Sequence, residues 1–147
     1  MLKDSAFTWE NTMDLKGKTI GGTSHTSYAL IEDAYEKGII KFERAGVYEI
    51  LFKRLLAKRI DAIPVVKNVG NFLIRTTLNE EEQKKITYSP TVIQDKKYYL
   101  ILTKNIEENK RFIKLFNKGL EIIKKNGVYA KLTEDLNSGK YDKAFEK

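Results

Sequence analysis

The hydroxyl-rich segment at residues 22–27 offers the most informative chemistry in this sequence. Thr26 and Ser27 stand directly before an apolar stretch with helical spacing, so their hydroxyls predict either N-caps or donors to a bound ligand. Free N–H groups at the start of a helix, helped by the helix dipole, favour a carboxylate or another anion. The segment therefore predicts an anion-binding turn, with plain helix capping as the alternative.

The titratable residues do not form a pattern typical of catalysis or metal binding. His25 is the only histidine, and it is interpreted either as a solvent-facing loop residue or as a pH-sensitive donor bordering a cleft. Asp14, Asp33 and Asp61 lack paired spacing, and Asp61 is expected to hold a turn or a neighbouring N–H. The chain has no cysteine. We therefore expect no catalytic residue, no metal site and no cofactor.

Strands alternate with helices through the first half of the chain. Apolar spacing predicts a strand at residues 18–22, a helix from Tyr28 to a stop at Gly38, a strand at 39–43, a helix at 47–57 and an apolar strand at 60–66. This alternation, with short connections, predicts the α/β class with a parallel sheet and right-handed crossovers. Pro64 predicts that the last strand ends or bulges near that residue.

The parallel sheet points to three loops as the place for a ligand. Ligands of open α/β sheets bind outside the carboxyl ends of the strands. Those ends lead here to residues 22–27, 44–46 and 66–68. Val66 and Lys67 therefore join His25, Thr26 and Ser27 as candidate ligand-binding residues.

The second half of the sequence is more helical. A helix is expected at about residues 69–78, an acidic and basic turn at 79–85, strands at 86–88 and 97–103, and a crossing segment between those strands. A long amphipathic helix is expected at about 107–126, and Asn126-Gly127 ends it before a shorter helix. The change in character near residue 90 predicts the one internal boundary.

Charge and hydropathy exclude some classes of function. The net charge is +7, but the lysines are interleaved with acidic residues, which indicates a solvated surface and no nucleic-acid partner. No stretch reaches the roughly 18 apolar residues of a membrane span. The N-terminus lacks the apolar segment of a secretory signal, so either this form is cytoplasmic or the numbering begins inside a longer precursor.

Four segments together resemble family 3 extracellular solute-binding proteins, which serve polar amino acid importers and related sensors. They are DLKGKTIG at residues 14–21, LLAKRIDA at 55–62 with Lys58 at the usual glycine, YYLILTK at 98–104 and KNGVYAKL at 125–132. Their order and intervals fit that family from Asp14 to Tyr141. The resemblance covers nearly the whole chain.

This resemblance implies a periplasmic-binding-protein-like (Venus flytrap) fold. Residues 14–90 would form its second, three-layer parallel-sheet lobe after a lead-in at 1–13. Residues 91–147 would supply the return strand and the helices that pack on the first lobe, which is missing here. The resemblance also implies a periplasmic location, an ABC importer permease or a sensor as partner, and membrane contact only through that partner. The unpaired return strand predicts a homodimer or strand exchange.

The resemblance also assigns roles to the candidate site residues. Thr26 and Ser27 fall on the hydroxyl positions of a turn that grips a ligand carboxylate, and His25 falls on that turn's glycine. Val66 stands where amino acid binders carry the acid that pairs with the ligand's ammonium group, and Lys67 follows it. An anionic or less polar solute is therefore expected in place of an ordinary α-amino acid. The alternatives are a degenerate lobe that acts through protein contacts and an enzyme on the same scaffold.

Overall fold

Two parallel strands organise the first part of the chain. The computed structural model describes residues 1–94 and 97–145, and the chain divides into two units, one ending at Gln94 and one following it. The first unit contains a 3-10 helix at Thr12–Leu15, β1 at Thr19–Thr23, α1 at Ala29–Glu36, β2 at Lys41–Ala45, α2 at Tyr48–Leu56, α3 at Lys67–Thr77 and α4 at Glu80–Lys84. The second contains α5 at Glu108–Lys125, α6 at Val128–Asn137 and a 3-10 helix at Asp142–Phe145.

The prediction of an α/β class with parallel strands is confirmed. β1 and β2 pair in parallel, from Thr19 opposite Lys41 to Thr23 opposite Ala45, and α1 connects them. Their carboxyl ends therefore lie at the same edge. Five residues per strand is an ordinary strand length.

The predicted third strand at residues 60–66 is reduced to a single bridge. Ala62 pairs in parallel with Ile20, and the N–H of Gly21 donates to the carbonyl of Ala62 at 2.9 Å. The pairing stops there because Pro64 has no N–H to continue the ladder, as its position in the sequence predicted.

Two buried clusters form the core of the first unit. β1 contributes to both: Ile20 belongs to one cluster, while a Cβ at Gly21 would lie 2.9 Å from Leu51 Cδ2 in the other. One cluster consists of Trp9, Leu15, Ile20, Ile31, Ala34 and Ile40. The other consists of Leu2, Ala45, Leu51, Phe52, Leu55 and Ile60. Leu2 and Trp9 of the lead-in are buried, and Phe7 packs against the Trp9 cluster, so these three residues join the core of this unit.

Most predicted helices are confirmed near their predicted ends. This holds for α2, α3, α5 and α6, and Gly127 separates the last two with a positive φ of 81°. The apolar spacing that predicted α2 would put Val47, Ile50, Leu51, Leu55 and Ala57 on its inner face. Leu51 and Leu55 are buried there, but Val47, Ile50 and Ala57 are exposed, so the prediction is wrong for these three residues.

Three further predictions of secondary structure are wrong. Residues 80–84 form α4 instead of a turn, because Asn79 and Glu82 make a capping box that starts a helix. The strand at 86–88 is a single antiparallel bridge between Leu2 and Ile86. Residues 97–103 form no strand, since no described segment pairs with them, and Tyr98, Tyr99 and Ile101 are largely exposed.

The second unit contains no buried residue in either of its two α-helices. Phe112, Leu115, Phe116 and Ile122 on α5 are each about half exposed, and so are Tyr129 and Leu132 on α6. The apolar spacing that predicted these helices therefore marks a face that the described part of the chain leaves open to solvent.

Candidate functional site

Thr23 is the last residue of β1 and the first residue of the segment 23–28, which we call the hydroxyl loop. Its hydrogen bonds organise this loop. Thr23 is buried, and its N–H donates to Tyr28 Oη at 3.1 Å. Its Oγ1 donates to Thr26 Oγ1 at 2.7 Å and lies 2.9 Å from Tyr28 Oη. These bonds fix the loop just beyond the carboxyl end of β1.

Two tyrosines connect the hydroxyl loop to α2. Tyr28 precedes α1, Tyr48 begins α2, and a side-chain hydrogen bond joins them. Burial, this hydrogen bond and the negative charge that Tyr28 would carry raise the pKa of Tyr48 to about 12. Burial acts to raise the pKa of Tyr28 as well, but hydrogen bonds from Thr23, Tyr48 and Thr26 outweigh it and lower that pKa. The folded protein therefore favours the protonated phenol of Tyr48.

Arg44 fastens the loop to β2 and α1. Its Nη1 donates to the carbonyl oxygens of Thr23 at 2.8 Å and Thr26 at 3.0 Å, and its Nη2 pairs with the carboxylate of Glu32. The guanidinium also lies over the ring of Phe42, 4.8 Å from its centroid. Since three of its five N–H donors are used within the protein, Arg44 shapes the loop.

Thr26, Ser27 and His25 are all exposed on the loop, but neither hydroxyl caps α1. The helix begins at Ala29 with Tyr28 in the N-cap position and without a side-chain cap. The capping prediction is therefore wrong. Thr26 is instead drawn to Thr23, and Ser27 donates to Glu32 at 3.2 Å. Their action on a ligand stays a prediction, as does that of His25.

The loop and the first residue of α1 also carry unused backbone donors. Within the described residues, the N–H groups of Thr26, Ser27 and Ala29 have no hydrogen-bond acceptor. They precede or open α1, where the helix dipole is positive. This end of the loop is therefore suited to an anion or to a carbonyl or carboxylate oxygen.

Val66 and Lys67 lie at the start of α3. Val66 is its N-cap residue and is half exposed, and Lys67 is its first residue. The predicted loop at 66–68 is thus largely the first turn of a helix. Lys67 Nζ lies 4.9 Å from the ring centroid of Tyr88. In the described part of the chain no contact joins these residues to Thr26 or Ser27, and their role with a ligand stays a prediction.

The carboxylates singled out in the sequence serve local structure. Asp61 accepts the N–H of Thr19 at 2.8 Å and lies 3.4 Å from Lys18 Nζ, which confirms its structural role. Asp14 completes a capping box at the first 3-10 helix, and Asp33 of α1 pairs with Lys37, the C-cap residue of that helix. Among residues 1–94 and 97–145, no three His, Cys, Asp or Glu side chains converge as metal ligands would.

The hydroxyl loop is an exposed surface and not part of either of two open depressions found elsewhere. One, of about 350 Å³, is lined by Ile50, Lys53, Arg54, Ala57 and Arg59. The other, of about 510 Å³, lies on α5. A ligand at the loop would therefore need a second covering surface.

Sequence reasoning found the loop but missed the residues that hold it. Tyr28, Tyr48 and Arg44 act across segments about 20 residues apart. The available signal was their placement, since each tyrosine immediately precedes or opens a helix and Arg44 lies near the end of β2.

Comparison with known proteins adds no assignment. No protein-family model matches the chain, and no curated protein or solved structure matches it significantly. No helix in the described residues is long and apolar enough to cross a membrane.

Proposed function

We propose that this chain binds a small polar or anionic solute at the hydroxyl loop, as the second lobe of a family 3 type solute-binding protein. The observation that carries the proposal is the set of unused N–H donors held at the carboxyl ends of two parallel strands by Thr23 and Arg44. This is the edge at which open α/β sheets bind ligands. The chain would bind its solute without chemical conversion.

The packing around β1 supports the proposal of a three-layer lobe. Ile20 and Gly21 are neighbours on a strand, so their side-chain positions face opposite ways. Ile20 packs in the cluster with α1, whereas Gly21 faces Leu51 of α2. Helices on both sides of a parallel sheet would give the three-layer lobe that the resemblance implies. The bridge at Ala62 would then be the remnant of the third strand.

The donor groups of the loop and the residues at the start of α3 favour an anionic group on the solute. The free donors are N–H groups, and Thr26 adds an exposed hydroxyl. Val66 has no oxygen to accept from an ammonium group, and Lys67 adds positive charge beside it. We therefore propose a carboxylate or a similar solute, taken up in the periplasm and passed to an ABC importer permease or a sensor.

A lobe that works through protein contacts is the second candidate. The observation in its favour is the exposure of Tyr98, Tyr99 and Ile101, an apolar stretch without a covering partner in the described residues. Association of two copies through this stretch would bury it.

Thermal unfolding against amino acids, dicarboxylates, sugars and simple anions tests solute binding. A solute at a hundred times its dissociation constant stabilises the protein by about 2.7 kcal/mol. We expect carboxylates to raise the unfolding temperature. This rise should be lost in Thr26→Ala and kept in Thr8→Ala, a matched change at another exposed threonine. Equal rises in both variants would contradict binding at the loop. A flat panel, with concentration-dependent stability, would favour the protein-contact lobe.

A further inference from the structure

The helix α5 separates its charges from its apolar residues along its whole length. At about 100° per residue, the apolar side chains fall on one half of the helix and the basic ones on the other. The helix carries six basic residues against two acidic ones, an excess of four positive charges. It is amphipathic and strongly basic.

Both halves of α5 are available to a partner. Phe112, Leu115, Phe116 and Ile122 are each about half exposed. Beside them, Arg111, Lys114 and Lys118 line an open depression of about 510 Å³ that also includes Leu115. These three cations have no carboxylate partner among the described residues, whereas Lys110 is held by Glu107 at 3.0 Å. The unpaired cations of α5 thus lie beside apolar side chains that are about half exposed.

We propose that α5 docks on an anionic lipid bilayer, lying in the plane of its surface. Aromatic and aliphatic side chains would enter the boundary between headgroups and acyl chains, while the lysine stems extend to bring their ammonium groups to lipid phosphates. Anionic lipids attract each basic residue near their surface. This contact needs no partner protein, unlike the membrane contact expected from the resemblance, and it would occupy the face that the resemblance packs on a first lobe.

The charge pattern selects the bilayer over other covers for this face. A second copy packed on the apolar half would cover the apolar side chains but would bring only further uncompensated positive charge to the basic half. A nucleic acid would satisfy the cations but leave Phe112, Phe116 and Ile122 uncovered. An anionic bilayer satisfies both halves of the helix at once.

Vesicle binding by the full chain tests this proposal. We expect flotation with phosphatidylcholine vesicles containing a third phosphatidylglycerol, and binding at least about ten-fold weaker to phosphatidylcholine alone, since several cations lose their anionic partners. Replacing Lys114 and Lys118 together by glutamine should weaken binding about 25-fold, or roughly five-fold per charge. Phosphate ions should compete no better than chloride at equal ionic strength, which separates a lipid surface from a free phosphate site.

A matched variant removes the same charge elsewhere. Lys53→Gln with Arg59→Gln alters the other basic depression, in the first unit, and should change binding less than about two-fold because it leaves the docking face intact. Phe116→Trp adds a reporter on α5 whose emission should be quenched by brominated acyl chains, while the buried Trp9 stays unquenched. Circular dichroism of each variant verifies that the helices are retained.

Several results would overturn the proposal. They are equal binding to neutral and anionic vesicles, equal losses in the two charge variants, an unquenched Trp at position 116, or no vesicle binding at all. A dimer that Phe116→Ser dissociates, without vesicle binding, would assign the face to a second copy. Solute binding at the hydroxyl loop belongs to the other unit and is measured without lipid, so the two proposals fail separately.

Discussion

Arg44 is the residue whose removal should loosen the hydroxyl loop most directly. Arg44→Met keeps the apolar stem but loses two bonds to loop carbonyls, so we expect a loss of about 1–3 kcal/mol in the free energy of unfolding. Arg54→Met is the matched control, because Arg54 makes one exposed ion pair with Glu43. Urea denaturation of Arg54→Met should show a loss of no more than about 1 kcal/mol in unfolding free energy. Equal losses would contradict the role of Arg44 as the fastening of the loop.

The pair of tyrosines predicts a pH dependence at alkaline pH. The folded protein raises the pKa of Tyr48 from 10.0 to about 12 by burial and by its hydrogen bond to Tyr28, so the folded state favours the protonated phenol. The stability that Tyr48 contributes is therefore complete below pH 10 and is lost as pH rises through about 12. The difference in unfolding free energy between the wild type and Tyr48→Phe should shrink across that window. A constant difference would contradict the shift.

The candidate site was only partly predictable from individual residues. Thr26, Ser27 and His25 were located because a hydroxyl-rich segment before a helix is a local pattern. The bonds that position them were not predictable, because Tyr48 and Arg44 reach the loop only after α1 has brought the two strands together.

At the scale of the element, the absence of a side chain at Gly22 allows β1 to pack closely against the aromatic rings beside the loop. A Cβ at this position would lie 2.7 Å from the ring of Phe42 and 2.8 Å from that of Tyr28. Gly22→Ala should cost about 1–3 kcal/mol in unfolding free energy, since both rings must move. Gly46→Ala is the control, because nothing lies within 4 Å of its added Cβ. Equal losses of unfolding free energy in the two variants, measured by urea denaturation, would contradict this packing.

Helices were predicted better than strands, and the reason is physical. α2, α3, α5 and α6 carry their apolar spacing and end signals within their own residues. A strand needs a partner that its own sequence does not contain. Residues 97–103 have the composition of a strand and find no described partner, while the pairing of residues 60–66 with β1 stops before Pro64.

At the scale of the whole molecule, the two units differ in how far their residues are buried. The first has two buried clusters, and α5 and α6 in the second have no buried residue. Because protection from hydrogen exchange follows burial, amides of β1 and α2 should exchange far more slowly than those of α5 and α6. Hydrogen exchange read by mass spectrometry on the full chain checks this. Uniform protection of both units in a dilute sample would contradict it.

Proton and nitrogen chemical shifts, followed while a carboxylate solute is titrated into the full chain, test the proposed binding site most directly. We predict that the largest changes fall on the amides of Thr26, Ser27 and Ala29, whose N–H groups have no acceptor in the described residues. Changes should be weak at Thr8, the matched exposed threonine. Shifts confined to the basic depression around Lys53, or none with any solute of the panel, would contradict a solute site at the hydroxyl loop.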